Sequence, residues 1–359
     1  VSAPELRSVL VVGTGLIGAS IGMALRARGV EVYLRDNDRD AVALAVERGA
    51  GLPDGERGAV DLAVVAVPPD RAAAVVTGLL DDAGVGAVTD VTSVKAPLAA
   101  AVAAHPAASR YVGGHPMAGR EVSGPGGAHH DLFRGRPWVI CPPATNGGAA
   151  VELVTQLALL AGAMPVRMSP TEHDAAVAVV SHAPHLVSAL VAGRLQQAGG
   201  QQVRLAGGGV RDITRVAASD PGLWREILAA NAVAVRDVLQ ALRDDLDTAI
   251  AALGSAGEPD LARVESLLRA GVVGRGRLPG KHGTEHAEYT GVPVELADRP
   301  GQLAELFSDV GEVGVNVEDV RIEHVPGEPV GLVELSVRPE AEQALVDGLR
   351  LRGWTVHGA

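Results

Sequence analysis

One cysteine, Cys141, and two lysines, Lys95 and Lys281, are all that the 359 residues contain of these types. A single cysteine forbids an intrachain disulfide and any cysteine-based metal cluster, and it fits a reducing, cytoplasmic setting. Cys141 itself reads as a small apolar residue closing a strand. Positive charge is also short. The 31 Lys and Arg against 43 Asp and Glu leave a formal net charge of −12, with no block of like charges. That balance argues against a nucleic-acid partner, because phosphate backbones need a basic face. A small anion is still acceptable, since a few buried arginines can capture one. No membrane or export segment is expected. Ser8 through Leu25 carries no charge and follows Arg7, yet Gly13, Gly15, Gly18 and Gly22 break it up and no small-residue cleavage site closes it. Where arginine is the default cation, a lysine at position 95 in a Ser/Thr-rich turn stands out.

Hydrophobic residues make up 47% of the chain, and its length suffices for two or three domains with separate cores. From Val9 to about Met168, short β-branched runs alternate with alanine-rich helical stretches. Val9–Val12, Val32–Leu34, Leu62–Val67, Ala87–Val91, Tyr111–Gly113, Pro137–Cys141 and Ala163–Met168 read as strands. Leu16–Arg28, Arg39–Glu47, Arg71–Leu80, Lys95–Ala104 and Gly147–Gly162 read as helices. This alternation predicts an α/β domain over residues 1–168, a mostly parallel, doubly wound Rossmann-like sheet.

Residues 169–274 read as all-helical: Thr171–Gln197 with an interruption at Pro184, Pro221–Leu253, then Asp260–Ala270. Their apolar surplus predicts packing against a second subunit, hence a homodimer. A linker rich in glycine and proline, 275–288, leads to a third unit, 289–359. Val292, Val294 and Leu296 alternate as a strand, and Leu303, Leu306, Phe307 and Val310 mark a helix begun at Pro300. Val315–Glu323 and Val330–Val337 are strands joined around Gly327. Ala341–Leu351 is a helix, and Trp354–His357 a last short strand. The order βαββαβ predicts a ferredoxin-like sheet with two helices.

The phosphate loop is Gly13-Thr14-Gly15-Leu16-Ile17-Gly18. It follows a strand directly and opens a helix, as the chemistry demands. The first glycine permits the tight turn, the second lets backbone approach a pyrophosphate, and the third lets helix and strand pack closely. Asp36, ending the second strand, sits close to the spacing of a carboxylate that bonds a ribose diol. A carboxylate repels a 2′-phosphate, so NAD is the expected cofactor. NADP stays open, because Arg35 and Arg39 flank Asp36. In such a domain the proton-handling groups belong at the C-terminal ends of the strands. Three unusual loops fall there: Val67-Pro68-Pro69, Asp90-Val91-Thr92-Ser93-Val94-Lys95 and Gly113-Gly114-His115-Pro116-Met117-Ala118-Gly119. His115, between glycines and a proline, is not placed like a core histidine on a helix face. An imidazole there can take a hydroxyl proton as hydride leaves the same carbon, and Ser93 could orient it.

Ser181-His182-Ala183-Pro184-His185 puts polar groups in the middle of an apolar helix. The His-x-x-His spacing hints at a metal, but no third ligand at a supporting distance accompanies it, so none is expected. From Gly208 to Arg225, Arg211, Asp212, Arg215 and Trp224 offer the makings of a carboxylate clamp, because guanidinium pairs bidentately with carboxylate. Asp220 and Pro221 read as the N-cap and first residue of a helix.

Together these stretches resemble the prephenate/arogenate dehydrogenase family of tyrosine biosynthesis. The matching pieces are Gly13–Ser20, Asp90–Lys95, Gly113–Gly119 with Glu121, Ser181–Val187 and Asp212–Trp224, in order across the first two domains. The resemblance implies an oxidative decarboxylation of prephenate, or of arogenate, in which hydride passes to NAD and His115 takes the hydroxyl proton. Loss of the ring carboxylate as CO2 makes the ring aromatic. Ser93 resembles the family serine beside that hydroxyl, and Arg215 the arginine on a substrate carboxylate. Ser181, His182 and His185 resemble residues lining the pocket. Glu121, Asp212 and Trp224 match a network near its entrance, partly supplied by the partner subunit. By the same resemblance Lys95 is assigned to the substrate pocket, and Arg120 to tolerance of the substrate side chain. The third unit resembles an ACT domain, on Asp298-Arg299-Pro300-Gly301 and Asn316. That implies an amino-acid effector, with tyrosine or another aromatic amino acid first.

Two other readings compete. A β-hydroxyacid dehydrogenase also joins a dinucleotide domain to helices, but it wants a lysine on the interdomain helix, and residues 169–274 contain none. A catalytically dead, NAD-retaining amino-acid sensor would not need His115, Ser93 and Arg215 intact.

Overall fold

A strand covered on both faces must be apolar at every position, and Ser8–Val12 (β1) comes close to this, being buried from Val9 onward. The computed structural model describes residues 4–55, 57–119, 124–142, 148–254, 258–278, 289–324 and 330–357. After β1 come Leu16–Arg26 (α1), Glu31–Arg35 (β2), Arg39–Glu47 (α2), Leu52–Pro53 (β3), Val60–Val65 (β4) and Pro69–Asp81 (α3). Val85–Asp90 (β5), Ala96–Val102 (α4), Tyr111–Pro116 (β6), Pro137–Cys141 (β7), Gly148–Leu160 (α5) and Met164–Arg167 (β8) complete the sheet. Its order is β3-β2-β1-β4-β5-β6-β7-β8. Every pairing is parallel except β6 with β7. The short edge strand β3 is the one strand that periodicity does not reveal.

Alternate residues of β1 enter two separate cores. Val9 and Val11 pack with Ile21 and Leu25 of α1 and Val154 and Leu157 of α5. Leu10 and Val12 pack with Val76 and Leu80 of α3 and Val102 of α4. Helices therefore cover both faces, as the doubly wound expectation requires. Each such fully buried aliphatic side chain contributes about 1.5–3 kcal/mol.

The helical part comprises Pro170–Val177 (α6), Ala183–Arg194 (α7), Gly200–Val203 (α8), Gly208–Thr214 (α9), Pro221–Ala230 (α10), Ala232–Leu253 (α11) and Leu261–Gly276 (α12). Ser169 and Glu172 form a reciprocal capping box that starts α6. Pro184 does not interrupt the run, contrary to expectation. A π turn, Ala178–His182, joins α6 to α7, with the Ala183 amide donating to the Ala178 carbonyl, and Pro184 falls in the first turn of α7. By length and apolarity residues 170–197 could cross a membrane. However, they hold buried, hydrogen-bonded His173, Asp174 and His182, as a core helix does. Large apolar side chains stay exposed along this part, among them Val180, Leu190, Ile250, Leu261 and Val272.

The chain divides into two compact units, Val1–Leu242 and Arg243–Ala359. The second ends in Thr290–Ala297 (β9), Gln302–Val313 (α13), Asp319–His324 (β10), Val330–Val337 (β11) and Glu342–Leu351 (α14). Its antiparallel sheet runs β10-β11-β9, and Val356 adds a single bridge to Val294 on the far side of β9. This is the ferredoxin-like order with its last strand reduced to one bridge, and β10 begins later than Val315.

Candidate active site

In sheet order β1, β4, β5 and β6 are consecutive and parallel, so the glycine loop, Val67-Pro68, the Ser93 loop and His115 share one edge of the sheet. The glycines of the first loop divide the work. Gly13 has φ of +100°, and a Cβ there would lie 2.3 Å from the Ala66 carbonyl oxygen. A Cβ on Gly18 would lie 1.9 Å from the Gly13 oxygen, whereas one on Gly15 would meet nothing within 4 Å. Gly15 is the N-cap of α1. Open space thus stands before helix amides that have no intrahelical acceptor, which suits a pyrophosphate. Leu16 and Ile17 begin that helix.

Asp36 follows β2, and its Oδ2 accepts from the Thr14 amide at 2.7 Å and the Thr14 hydroxyl at 3.1 Å. Burial pushes this carboxyl upward, but hydrogen bonds from Thr14, Asp38 and Asn37 outweigh it and hold it below the ordinary value. Asp36 is therefore a carboxylate tied to the phosphate loop. Arg35 is committed to Asp54 at 2.5 Å, and Arg39, the first residue of α2, is exposed. Pro68, after Val67, caps α3. Ser93 lines a cleft of about 140 Å³ with Pro69, Ala72, Thr92, Pro97 and Ile227. A larger cavity, about 520 Å³, lies by Asp61, Gly84 and Arg110 at the opposite edge of the sheet. There the Arg110 guanidinium is bonded to the Leu80 and Val85 carbonyls.

His115 is buried on β6, and its partner is His173 of α6, Nδ1 to Nε2 at 2.8 Å. Ser93 was expected to orient it, but among the described residues the imidazole hydrogen-bonds to His173 instead. His173, fully buried, meets Asp174 through Nδ1 at 2.7 Å. Asp174 also accepts the Lys95 and Ala96 amides at 2.8 Å each, so one carboxylate fixes both the histidine pair and the start of α4. Burial above all, then the charge of Lys95 and the neighbouring His173 and His182, holds His115 well below an ordinary histidine value. Its imidazole is therefore held in the neutral form.

Lys95 departs from its expected role. It is 1% exposed, and its ammonium donates to Asp90, to Thr92 Oγ1 at 2.9 Å and to the Gly114 carbonyl at 2.7 Å. An ammonium has three protons, and all three have acceptors. Asp90 takes a further bond from the Tyr111 hydroxyl at 2.7 Å. Lys95 is thus a strut beneath the histidine loop, its ammonium committed to acceptors within the protein.

Trp224 gathers the second group. Its indole stacks on His185, with centroids 3.5 Å apart and planes 9° from parallel, and stands edge-on to His182 at 6.0 Å. The Asn231 side chain donates to His182 Nδ1 at 3.1 Å and to the Asp174 carbonyl at 2.8 Å. Burial, then His173, lowers His182 to about 4. Ser181, half-buried, precedes it. Arg215 opens a short 3-10 turn after α9, and both it and Asp212 are exposed. Arg120 and Glu121 lie outside the described residues.

In the C-terminal unit, Asp298 and Pro300 lie in the β9–α13 turn, which ends at Gly301 with φ of +92°. Asn316 precedes β10 and bonds to Glu318 at 2.6 Å. β9 and β10 are each antiparallel to β11, with Ala297 level with Val330 and Asp319 level with Ser336. The turn and Asn316 are therefore at opposite ends of the sheet, roughly 20 Å apart. One copy of this unit does not bring them together.

Sequence reasoning missed His173, Asp174 and Asn231. Adjacent His and Asp just ahead of the apolar run that begins at Ala175 were the available signal, since such groups are buried only when paired.

The nucleotide-binding domain model of prephenate dehydrogenase matches residues 21–166, and the prephenate dehydrogenase dimerization domain model matches residues 169–266. A Streptomyces niveus protein named "Probable prephenate dehydrogenase NovF" is 37% identical, covering 97% of this chain and 99% of its own. The solved prephenate dehydrogenase from A. aeolicus, in complex with hydroxyphenyl propionate and NAD+, is 26% identical with a TM-score of 0.66, covering 76% of this chain and 100% of its own. Synechocystis arogenate dehydrogenase is 27% identical with a TM-score of 0.61, covering 75% of this chain and 99% of its own.

Proposed function

Since the chain belongs to the prephenate dehydrogenase family, we propose that it oxidatively decarboxylates prephenate to 4-hydroxyphenylpyruvate with NAD, in tyrosine biosynthesis. The observation that carries this reading is the neutral His115, buried beside the cofactor edge of the sheet and, among the described residues, hydrogen-bonded through Nδ1 to His173. Gly13, Thr14, Gly15 and Gly18 would hold the pyrophosphate and Asp36 the adenosine ribose. A nicotinamide cofactor held there would supply the hydride acceptor for the ring carbon that bears the hydroxyl. His115 takes the hydroxyl proton as that carbon becomes a carbonyl. The ring carboxylate then leaves as CO2, and its bonding pair makes the ring a phenolate, to which the proton returns. Ser93, on the neighbouring loop, holds the hydroxyl toward His115, and Arg215 pairs with a substrate carboxylate. His182, His185 and Trp224 wall the pocket.

The exposed apolar helix faces and the dimerization-domain match support a homodimer, and the single buried Cys141 fits a cytoplasmic enzyme. The C-terminal unit is read as an ACT-like module for an aromatic amino acid. Its βαββα order with a bridging last segment supports this, and calorimetry with tyrosine on the full chain tests it. The catalytic test uses purified protein with prephenate and arogenate, each with NAD and NADP, following reduced cofactor and CO2. Reduced cofactor and CO2 in equal amounts are expected with prephenate and NAD. Arogenate as the preferred substrate would shift the assignment, and no turnover with any pairing would overturn it.

A further inference from the structure

The contacts around His115 determine where its protons sit. Asp174 is ionised: burial opposes this, but bonds from His173 and from the Lys95 and Ala96 amides outweigh it and lower its carboxyl. A carboxylate only accepts, so the His173 proton is on Nδ1, which faces Asp174 Oδ1 at 2.7 Å. With its one proton on Nδ1, His173 presents the Nε2 lone pair, and that atom lies 2.8 Å from His115 Nδ1. The His115 proton must occupy Nδ1, which leaves Nε2 as its one basic nitrogen. We propose that His173 is the positioning residue of the base, fixing His115 in the Nδ1–H tautomer, with Asp174 fixing His173 in turn.

This inference rests on the reading of His115 as base. Its basis is a geometry assembled from two parts of the chain. His115 and Lys95 belong to the dinucleotide-binding sheet, whereas His173 and Asp174 stand on α6. Asp174 accepts the first amides of α4 as well, so the group that orients the imidazole also sets the position of the Ser93 loop. When His115 gains the substrate proton, its new positive charge is one imidazole away from a buried carboxylate.

The test compares wild type with His173→Leu and His173→Gln. Leucine fills the space without an acceptor, whereas the glutamine oxygen can still accept from His115 Nδ1–H. Loss of the tautomer should lower kcat of His173→Leu by about 10²-fold or more, with KM within about threefold. His173→Gln should recover to within about tenfold of wild type. Imidazole 15N spectra at alkaline pH, assigned with His115→Asn, read the tautomer directly and without turnover. Wild type should show protonated Nδ1 and bare Nε2 on His115, and His173→Leu a shift of the proton toward Nε2. A wild-type His115 protonated on Nε2, or His173→Leu with wild-type kcat, overturns the proposal. Should His173→Leu fail to fold, the wild-type spectrum and His173→Gln decide it. Absence of turnover in wild type with a Nδ1–H His115 would count against the proposed function and leave the tautomer relay standing.

Discussion

The Trp224 indole lies flat on the His185 imidazole, 3.5 Å between centroids, and so joins α10 to α7. An aromatic stack of this kind is worth about 0.5–1.5 kcal/mol beyond its buried area. Trp224→Leu should raise KM for prephenate about 2- to 12-fold with a smaller change in kcat. Steady-state kinetics check this, and an unchanged KM would remove Trp224 from the pocket wall.

Lys95 and Arg215 should separate cleanly. Lys95→Met leaves the fully buried Asp90 carboxylate without its cation, a loss of about 3–5 kcal/mol. A lower urea midpoint with little soluble yield is the expected result. Arg215 is exposed and has no ion pair among the described residues. Arg215→Ala should leave the urea midpoint within about 0.5 kcal/mol of wild type while raising KM for prephenate. The opposite pattern would return Lys95 to the substrate side.

His115→Asn keeps a polar group opposite His173 but offers no basic nitrogen. General-base catalysis of this type contributes about 10²- to 10⁴-fold, and kcat should fall by that amount. NAD affinity, measured by fluorescence titration, should hold, because the glycine loop and Asp36 are untouched. Turnover at the wild-type rate would dismiss His115 as the base.

The pH profile follows from the direction of the His115 shift. Burial first, then Lys95, His173 and His182, keeps the imidazole unprotonated well below the ordinary histidine value. The active base form therefore persists as pH falls through about 6.5, and kcat/KM declines only at lower pH, as the depressed value is crossed. Stability has the same sign. The unfolded chain binds protons on His115 and His182 below about pH 6.5, while folded His182 resists until about 4. Their contribution is complete above the unfolded value and is lost as pH falls toward the folded one. An acid limb of kcat/KM centred near 6.5 would contradict this account.

The alternating αβ domain and the ferredoxin-like unit were legible because their periodicities differ and their turns carry glycine. Leu52–Pro53 was not legible, since two exposed residues carry no alternation. Gly13, Gly18 and Asp36 were readable because their roles are local: a turn, a close approach and a strand end. Lys95 was misread for the converse reason. Its acceptors come from Asp90, Thr92 and Gly114, and only the fold brings the last of these to it. The His115–His173 contact joins residues 58 positions apart, a pairing that no spacing rule announces.

The π turn at Ala178–His182 has a consequence for helix phase. In a regular helix the nine residues from His173 to His182 turn through about 900°, which would set them on opposite faces. One extra residue accommodated in a wider turn removes about 100° of that rotation. His182 is thereby swung to the side of His173 and Asp174, where a single Asn231 amide reaches both segments. The irregularity acts as a one-residue insertion that corrects the angular register of His182 against His173, and Val179 and Val180 within it are exposed.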